Sequence, residues 1–195
     1  EENTKWLDAL GFDNAARAWI PSWEKPRIIL VKKNEQAVSF VPNLMSSIKN
    51  LVNVKRSLVT SPEKFEKIKS SLKPSDLIVF DHCGPQSPIQ KGNVFYIHPS
   101  GDHLGFDQFK PRKPGLFKVE NRTNPLLRYV DFSALSASEI VAAKPPKQAT
   151  VLLTTDSLPV LFTGQTGEVH YTYLGIPVNK SNLVFLDSFP TLFIN

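Results

Sequence analysis

SDLIVFDH, residues 75–82, is the stretch on which the reading of this chain turns. Leu77 to Phe80 are apolar at every position, with no alternation between an inner and an outer face. A short run of this kind suits a strand buried on both sides, as in a parallel sheet covered by helices. Upstream, PRIILV (26–31) has the same character, bounded by Pro26 and the polar Lys32-Lys33-Asn34. Between these runs, VPNLMSSIKNL (41–51) places Leu44, Met45, Ile48 and Leu51 at helical spacing after an Asn43 cap, which predicts a crossover helix. VNVKRSLVT (52–60) is a second strand candidate. Ser61-Pro62-Glu63 then opens a helix with a capping hydroxyl, a first-turn proline and an early acid, and Phe65, Ile68 and Leu72 form its inward stripe. Downstream, GNVFYIHPSGD (92–102) is the fourth strand. This rhythm predicts right-handed βαβ units with helices on both faces of the sheet.

The rhythm breaks after residue 105. Pro111, Pro114, Pro125, Pro145 and Pro146 are too closely spaced for long helices and predict loops with short strands. TVLLTTD (150–156), LPVLFTGQ (158–165) and EVHYTYLGI (168–176) follow in close succession, separated by Asp156-Ser157 and Thr166-Gly167. They read as antiparallel strands added to one end of the sheet. Residues 1–25, rich in Trp and Pro, read as an arm or linker, and residues 26–195 as one domain. The expected fold is α/β: a three-layer, flavodoxin-like sandwich whose mostly parallel sheet gains antiparallel strands near the C-terminus.

With 195 residues, 41% of them hydrophobic, the chain can bury a real core. Its net charge of +5 comes from scattered basic residues rather than a stripe interleaved with aromatics, so nucleic acid is not an expected partner. The single cysteine, Cys83, excludes an internal disulfide framework and a multi-cysteine zinc site. No apolar run approaches the ~20 residues of a membrane span, so membrane attachment would come only through segments outside this chain. SFPTLFIN (188–195) is an apolar, helix-like pattern without a cap, which points to a domain excised from a longer polypeptide.

In an open parallel sheet, sites form at the carboxyl ends of the strands. Asp81-His82-Cys83 and His98-Pro99-Ser100-Gly101-Asp102-His103 would lie there, so the expected binding cleft comprises His82, Cys83, His98, Ser100, Asp102 and His103. Three chemistries compete for these residues. Ser100 as nucleophile would need a G-x-S-x-G elbow, but His98 and Asp102 stand at the two glycine positions, and an ordinary polar turn suffices. Cys83 as thiolate would need a base. His82, its neighbour on an extended chain, points the other way, while His98 could approach. A transition metal held by these side chains would have suitable ligand types without the ligand-pair spacing of a known site. No metal or other cofactor is expected.

Several phrases, read in order, resemble one family: FDNAARAWIPSWEKPRIILV (12–31), SDLIVFDH, NPLLRYVDFSAL (124–135) and the closing PVLFTGQTGEVHYTYLGIPVNKSNLVFLDSFPTLFIN (159–195). They resemble the carboxy-terminal extracytoplasmic region of Bat-type (aerotolerance-like) membrane proteins carrying a von Willebrand factor A domain, a region with a class I glutamine amidotransferase-like fold. The resemblance implies a domain on the extracytoplasmic side of an envelope-anchored protein. It also places the amidotransferase nucleophile elbow at His98-Pro99-Ser100-Gly101, where no cysteine stands. The element carrying the amidotransferase histidine and glutamate would fall near GIPVNKSN (175–182), which contains neither. The resulting expectation is a pseudoenzyme, a binding or scaffolding module with no catalytic residues, gripping an unidentified protein or small molecule. The alternatives are a hydrolase or amidotransferase using Cys83 or Ser100 with one of the nearby histidines, His98 among them, and a metal-binding module.

Overall fold

A computed structural model describes residues 26–33, 56–101, 103–186 and 188–194. The arm over 1–25, the helix expected over 41–51, the first residues of the second strand and Asp102 lie outside the described residues. β1 (Arg27–Lys32), β2 (Arg56–Thr60), β3 (Leu77–Asp81) and β4 (Lys91–Ile97) fall on the four expected strands. α1 (Pro62–Ile68) begins where the sequence signals it: Ser61 Oγ accepts from the Lys64 amide, Pro62 lies in the first turn, and Phe65 points fully inward.

Later in the chain come the short strands β5 (Asp107–Gln108), β6 (Phe117–Val119) and β7 (Ala143–Lys144). These precede β8 (Thr150–Thr155), β9 (Leu158–Thr166) and β10 (Glu168–Leu174), and α2 (Ser188–Ile194) closes the chain. Asp156 and Ser157, both in left-handed backbone (φ 49° and 64°), make the two-residue turn between β8 and β9.

One mixed sheet of eight strands runs β2-β1-β3-β4-β10-β9-β8-β6. The fold is therefore α/β, as expected, but two features differ from the simplest form of the expectation. β3 and β4 are parallel neighbours joined by residues 82–90 without a helix. An extended chain covers about 3.3 Å per residue, so this stretch is long enough to return along β3 unaided. In addition, β10 is antiparallel to β9 yet parallel to β4, with Lys91 opposite Glu168 and Ile97 opposite Leu174. It is the junction between the parallel and antiparallel halves rather than an outer addition.

Strand alternation sorts the core into two layers. Ile28, Leu30, Val79, Phe95, Ile97, Leu161 and Leu174 face one side, where residues 127–142 and α2 cover them. Ile29, Val31, Ile78, Phe80, Val94, Tyr96, Phe162, Tyr171 and Tyr173 face the other, against Phe65 of α1 and Leu104. At about 25 cal/mol per Å2 of apolar surface, burial on both faces is what holds the central strands in place.

Candidate functional site

β3 and β4 are parallel and adjacent, so their carboxyl ends deliver residues 81–83 and 98–101 to the same edge of the sheet. At both ends the backbone turns through a left-handed residue that is not glycine: His82 (φ 58°) and His98 (φ 44°). Such conformations are uncommon for residues with a Cβ, and here two of them stand side by side at adjacent strand ends. Backbone hydrogen bonds fix the pair, since the His82 amide donates to the Ile97 carbonyl (3.0 Å) and the His98 amide to the Leu174 carbonyl (2.6 Å).

The two imidazoles lie 5.1 Å apart, centroid to centroid, with their planes tilted by 49°. His82 Nδ1 is 2.6 Å from Asp81 Oδ1, and this hydrogen bond raises the pKa of His82; burial opposes the rise, and the Asn179 side chain adds to it. His98 moves the other way. Burial, with the charge of His82 as a second cause, pushes it down to about 4, so at neutral pH it is an uncharged imidazole. Its Nε2 is buried and has no hydrogen-bond partner among the described residues. A buried polar atom without a partner is costly enough to call for an explanation, and a ligand is one.

Three further residues reach this site without any motif to announce them. Asn179 and Lys180 come from the loop after β10, and Glu139 from the segment before β7. The Lys180 Nζ–Glu139 Oε1 ion pair (2.8 Å) and the Ser138 amide donating to the Lys180 carbonyl (2.8 Å) tie the two loops together. Both charges act on His98, Glu139 raising its pKa and Lys180 lowering it. The sequence holds no signal for this gathering beyond the loop GIPVNKSN itself, because its members are brought together by pairing across distant segments.

The remaining expected site residues separate. Ser100 Oγ donates to the His82 carbonyl (3.0 Å), so its hydroxyl staples one strand-end loop to the other. The polar-turn reading of Ser100 matches this bond. Gly84 and Gly101 pack backbone to backbone at the same crossing; a Cβ on Gly84 would lie 3.1 Å from the Ser100 carbonyl oxygen. Cys83 turns away from His82 into the core, where its Sγ donates to the Val31 carbonyl (3.3 Å). Burial, reinforced by the Asp81 charge, pushes the thiol up to about 12, the reverse of what a thiolate nucleophile needs. His103 does not join the histidine pair: it is exposed and lines a separate cavity with Tyr96 and Tyr171. Among the described residues there is no cluster of three or more His, Cys, Asp or Glu able to hold a metal ion.

Neither a family model nor a curated protein matches the sequence. Solved structures do. A ThuA-like protein from Bacteroides uniformis superposes with a TM-score of 0.58 at 12% identity, covering 91% of this chain and 93% of the other. Two cytoplasmic proteins of Salmonella typhimurium superpose with TM-scores of 0.57 and 0.55 at 10% identity, covering 87% and 86% of this chain and 97% and 96% of theirs. At these identities the likeness is one of fold. Among the described residues, no helix is long and apolar enough to cross a membrane.

Proposed function

We propose that this chain is an amidotransferase-like binding module without glutamine-hydrolysing chemistry, and that its ligand is received against the contacting imidazoles of His82 and His98 at the carboxyl ends of β3 and β4. The observation that carries the proposal is His98. It stands in left-handed backbone directly after a parallel strand, at the start of the segment that the resemblance aligns with the amidotransferase elbow, and it offers a buried, neutral Nε2 where no thiolate is present. Nucleophilic attack on an amide needs a thiolate, a nearby base and oxyanion-binding amides. Cys83 is a buried, protonated thiol bonded to a main-chain carbonyl, and the loop at 175–182 supplies Asn179 and Lys180 rather than a histidine and a glutamate. What remains is a set of hydrogen-bonding and charged groups suited to holding a polar ligand.

On this reading the finer architecture is the three-layer amidotransferase-like sandwich, and the module belongs to an envelope-anchored protein of the Bat type, as the sequence resemblance implies. The test is a glutaminase assay on the purified protein together with iodoacetamide titration of Cys83 across pH. The expected results are no ammonia release above buffer and alkylation that stays slow well above pH 8.5. Ammonia release abolished by Cys83→Ala would overturn the proposal.

A further inference from the structure

Two phenols lie opposite each other in the sheet, Tyr96 on β4 and Tyr173 on β10, and both face the layer that holds Phe80 and Phe162. Their hydroxyls fare differently. That of Tyr173 donates to the Val141 carbonyl (2.5 Å) and accepts from Gln108 Nε2 (3.3 Å). That of Tyr96 makes no hydrogen bond among the described residues: burial alone acts on it, raising its pKa, and no neighbouring group offsets the rise. Tyr96 is 5% exposed, and its oxygen is not among the unpartnered polar atoms that the fold seals off, so it can be reached. A phenol this deeply buried ordinarily has a partner for its O–H.

Tyr96 borders a cavity of about 190 Å3 on this face of the sheet, walled by Ile89, Leu104, Phe106, Pro146 and Val169. The aromatic walls hold one another in place. Tyr96 stacks on Phe80 (5.5 Å between centroids) and meets Phe106 edge-on (5.9 Å), and Phe106 in turn meets Phe162 (5.3 Å) and Tyr173 (5.0 Å) edge-on. None of the described residues lining the cavity is Lys, Arg, Asp or Glu, and His103 is the one titratable group there besides the tyrosines. An apolar cavity of about 150 Å3 accepts one benzene ring, so this space is sized for a single ring. The same burial that disfavours ionised Tyr96 would disfavour a charge on anything bound beside it.

We propose that this cavity is a second binding site, apart from the His82–His98 site, for a neutral single-ring aromatic bearing one hydrogen-bonding group, a phenol being the simplest case. The ring packs against Tyr96 and Phe106, and the ligand hydroxyl pairs with the Tyr96 hydroxyl, which can donate or accept. Charged relatives are excluded because nothing in the walls compensates for the water they would lose.

The probes are p-cresol, toluene and 4-hydroxybenzoate, titrated against the whole chain by ligand-observed NMR, with the Tyr96 ring resonances as the readout on the protein. p-Cresol and toluene should both bind and both shift the Tyr96 resonances, and 4-hydroxybenzoate should do neither. Tyr96→Phe should weaken p-cresol about fivefold and leave toluene unchanged. It should also leave the melting temperature of the free protein unchanged, because the deleted hydroxyl makes no bond there. Ile89→Trp fills the cavity from a partly buried wall position and should abolish binding of both. The proposal is overturned if p-cresol shows no binding at about 5 mM. It is equally overturned if 4-hydroxybenzoate binds as tightly as p-cresol, if Tyr96→Phe weakens both ligands alike or neither, or if folded Ile89→Trp binds p-cresol undiminished. A lowered melting temperature for Tyr96→Phe would mean that the hydroxyl already has a partner, and would overturn it too.

Discussion

At the amino end of β3, Asp76 accepts hydrogen bonds from Arg27 Nε (3.0 Å), the Arg27 guanidinium Nη2, the Arg27 amide and the Lys73 amide (2.7 Å). At the carboxyl end of the same strand, Asp81 holds Nδ1 of His82, a residue in left-handed backbone beside a second histidine with an unpartnered nitrogen. Both carboxylates are buried, one 1% and the other 6% exposed. The difference lies in where their bonds go. Asp76 is spent entirely on its own chain: it ties the start of β1 to the turn before β3 and leaves nothing to offer a ligand. Asp81 orients an imidazole instead, and the left-handed turns and unmet polarity gathered beside it are what a binding site requires. On the proposed function, the two ends of one strand divide stability from binding.

The largest effect should come from breaking the amino end. Asp76→Ala takes the carboxylate away from the Lys73 amide and from Arg27 Nε, and leaves Arg27 Nη2 only the Ser71 carbonyl. Removing one partner of a buried pair costs about 3–5 kcal/mol. Arg27 keeps 29% of its side chain exposed, so the lower end, about 3 kcal/mol by urea unfolding, is expected. Burial alone would raise the pKa of Asp76, but the Arg27 and Lys73 hydrogen bonds outweigh it and the net shift is downward. Its contribution is therefore present above the unfolded carboxylate value and lost as pH falls through the lowered one, so the variant should show a shallower acid limb. A loss under about 1 kcal/mol would erase the distinction between the two ends.

Next comes Gly175, just past β10 at the carboxyl end. A Cβ there would lie 1.9 Å from the Val141 carbonyl oxygen, a main-chain atom fixed by the Tyr173 hydroxyl. Gly175→Ala should cost about 1–3 kcal/mol in thermal or urea unfolding, as overpacking does. The comparison sharpens if this loss leaves the histidine pair intact, as read from the imidazole resonances.

The histidines themselves should alter the pH profile in opposite senses. His98 has a folded pKa depressed to about 4, so the native chain loses stability as pH falls from the unfolded value near 6.5 toward 4. His98→Gln removes that loss. His82 has a raised folded pKa, so its contribution is full below the unfolded value and fades as pH rises through the folded one; His82→Gln removes a gain at low pH. Melting temperatures measured from pH 4 to 8 should diverge between the two variants toward the acid side, and parallel curves would contradict the assigned environments. The smallest effect is expected for Ser100→Ala, which deletes one exposed hydroxyl-to-carbonyl staple and should cost about 0.5–1 kcal/mol.

Much of the fold was legible because burial on both faces writes itself as continuous apolar runs: PRIILV, LIVF and NVFYI all became strands. The start of α1 was legible because its cap is local chemistry. Pairing between distant strands is not local, so the parallel contact of β10 with β4 left no trace in either segment. The site was legible to the same extent. The clustering of His82 and His98 could be read, since both follow strands that proved adjacent. The departure of Cys83 into the core, the separation of His103, and the arrival of Asn179, Lys180 and Glu139 all depend on backbone turns and cross-chain packing that no residue spacing encodes.

The β4–β10 junction also bears on how the molecule assembles. β1, β3 and β4 can gather from neighbouring segments, and β8, β9 and β10 can form as consecutive hairpins joined at Asp156-Ser157 and Gly167. Joining the halves requires Lys91–Ile97 to find Glu168–Leu174 across all the chain between them, the proline-rich segment and the β8–β9 hairpin included. Closing so long a loop is entropically slow. Until it closes, both strands expose unpaired edges, so nascent or heat-shocked chains are most prone to self-association along β4 and β10.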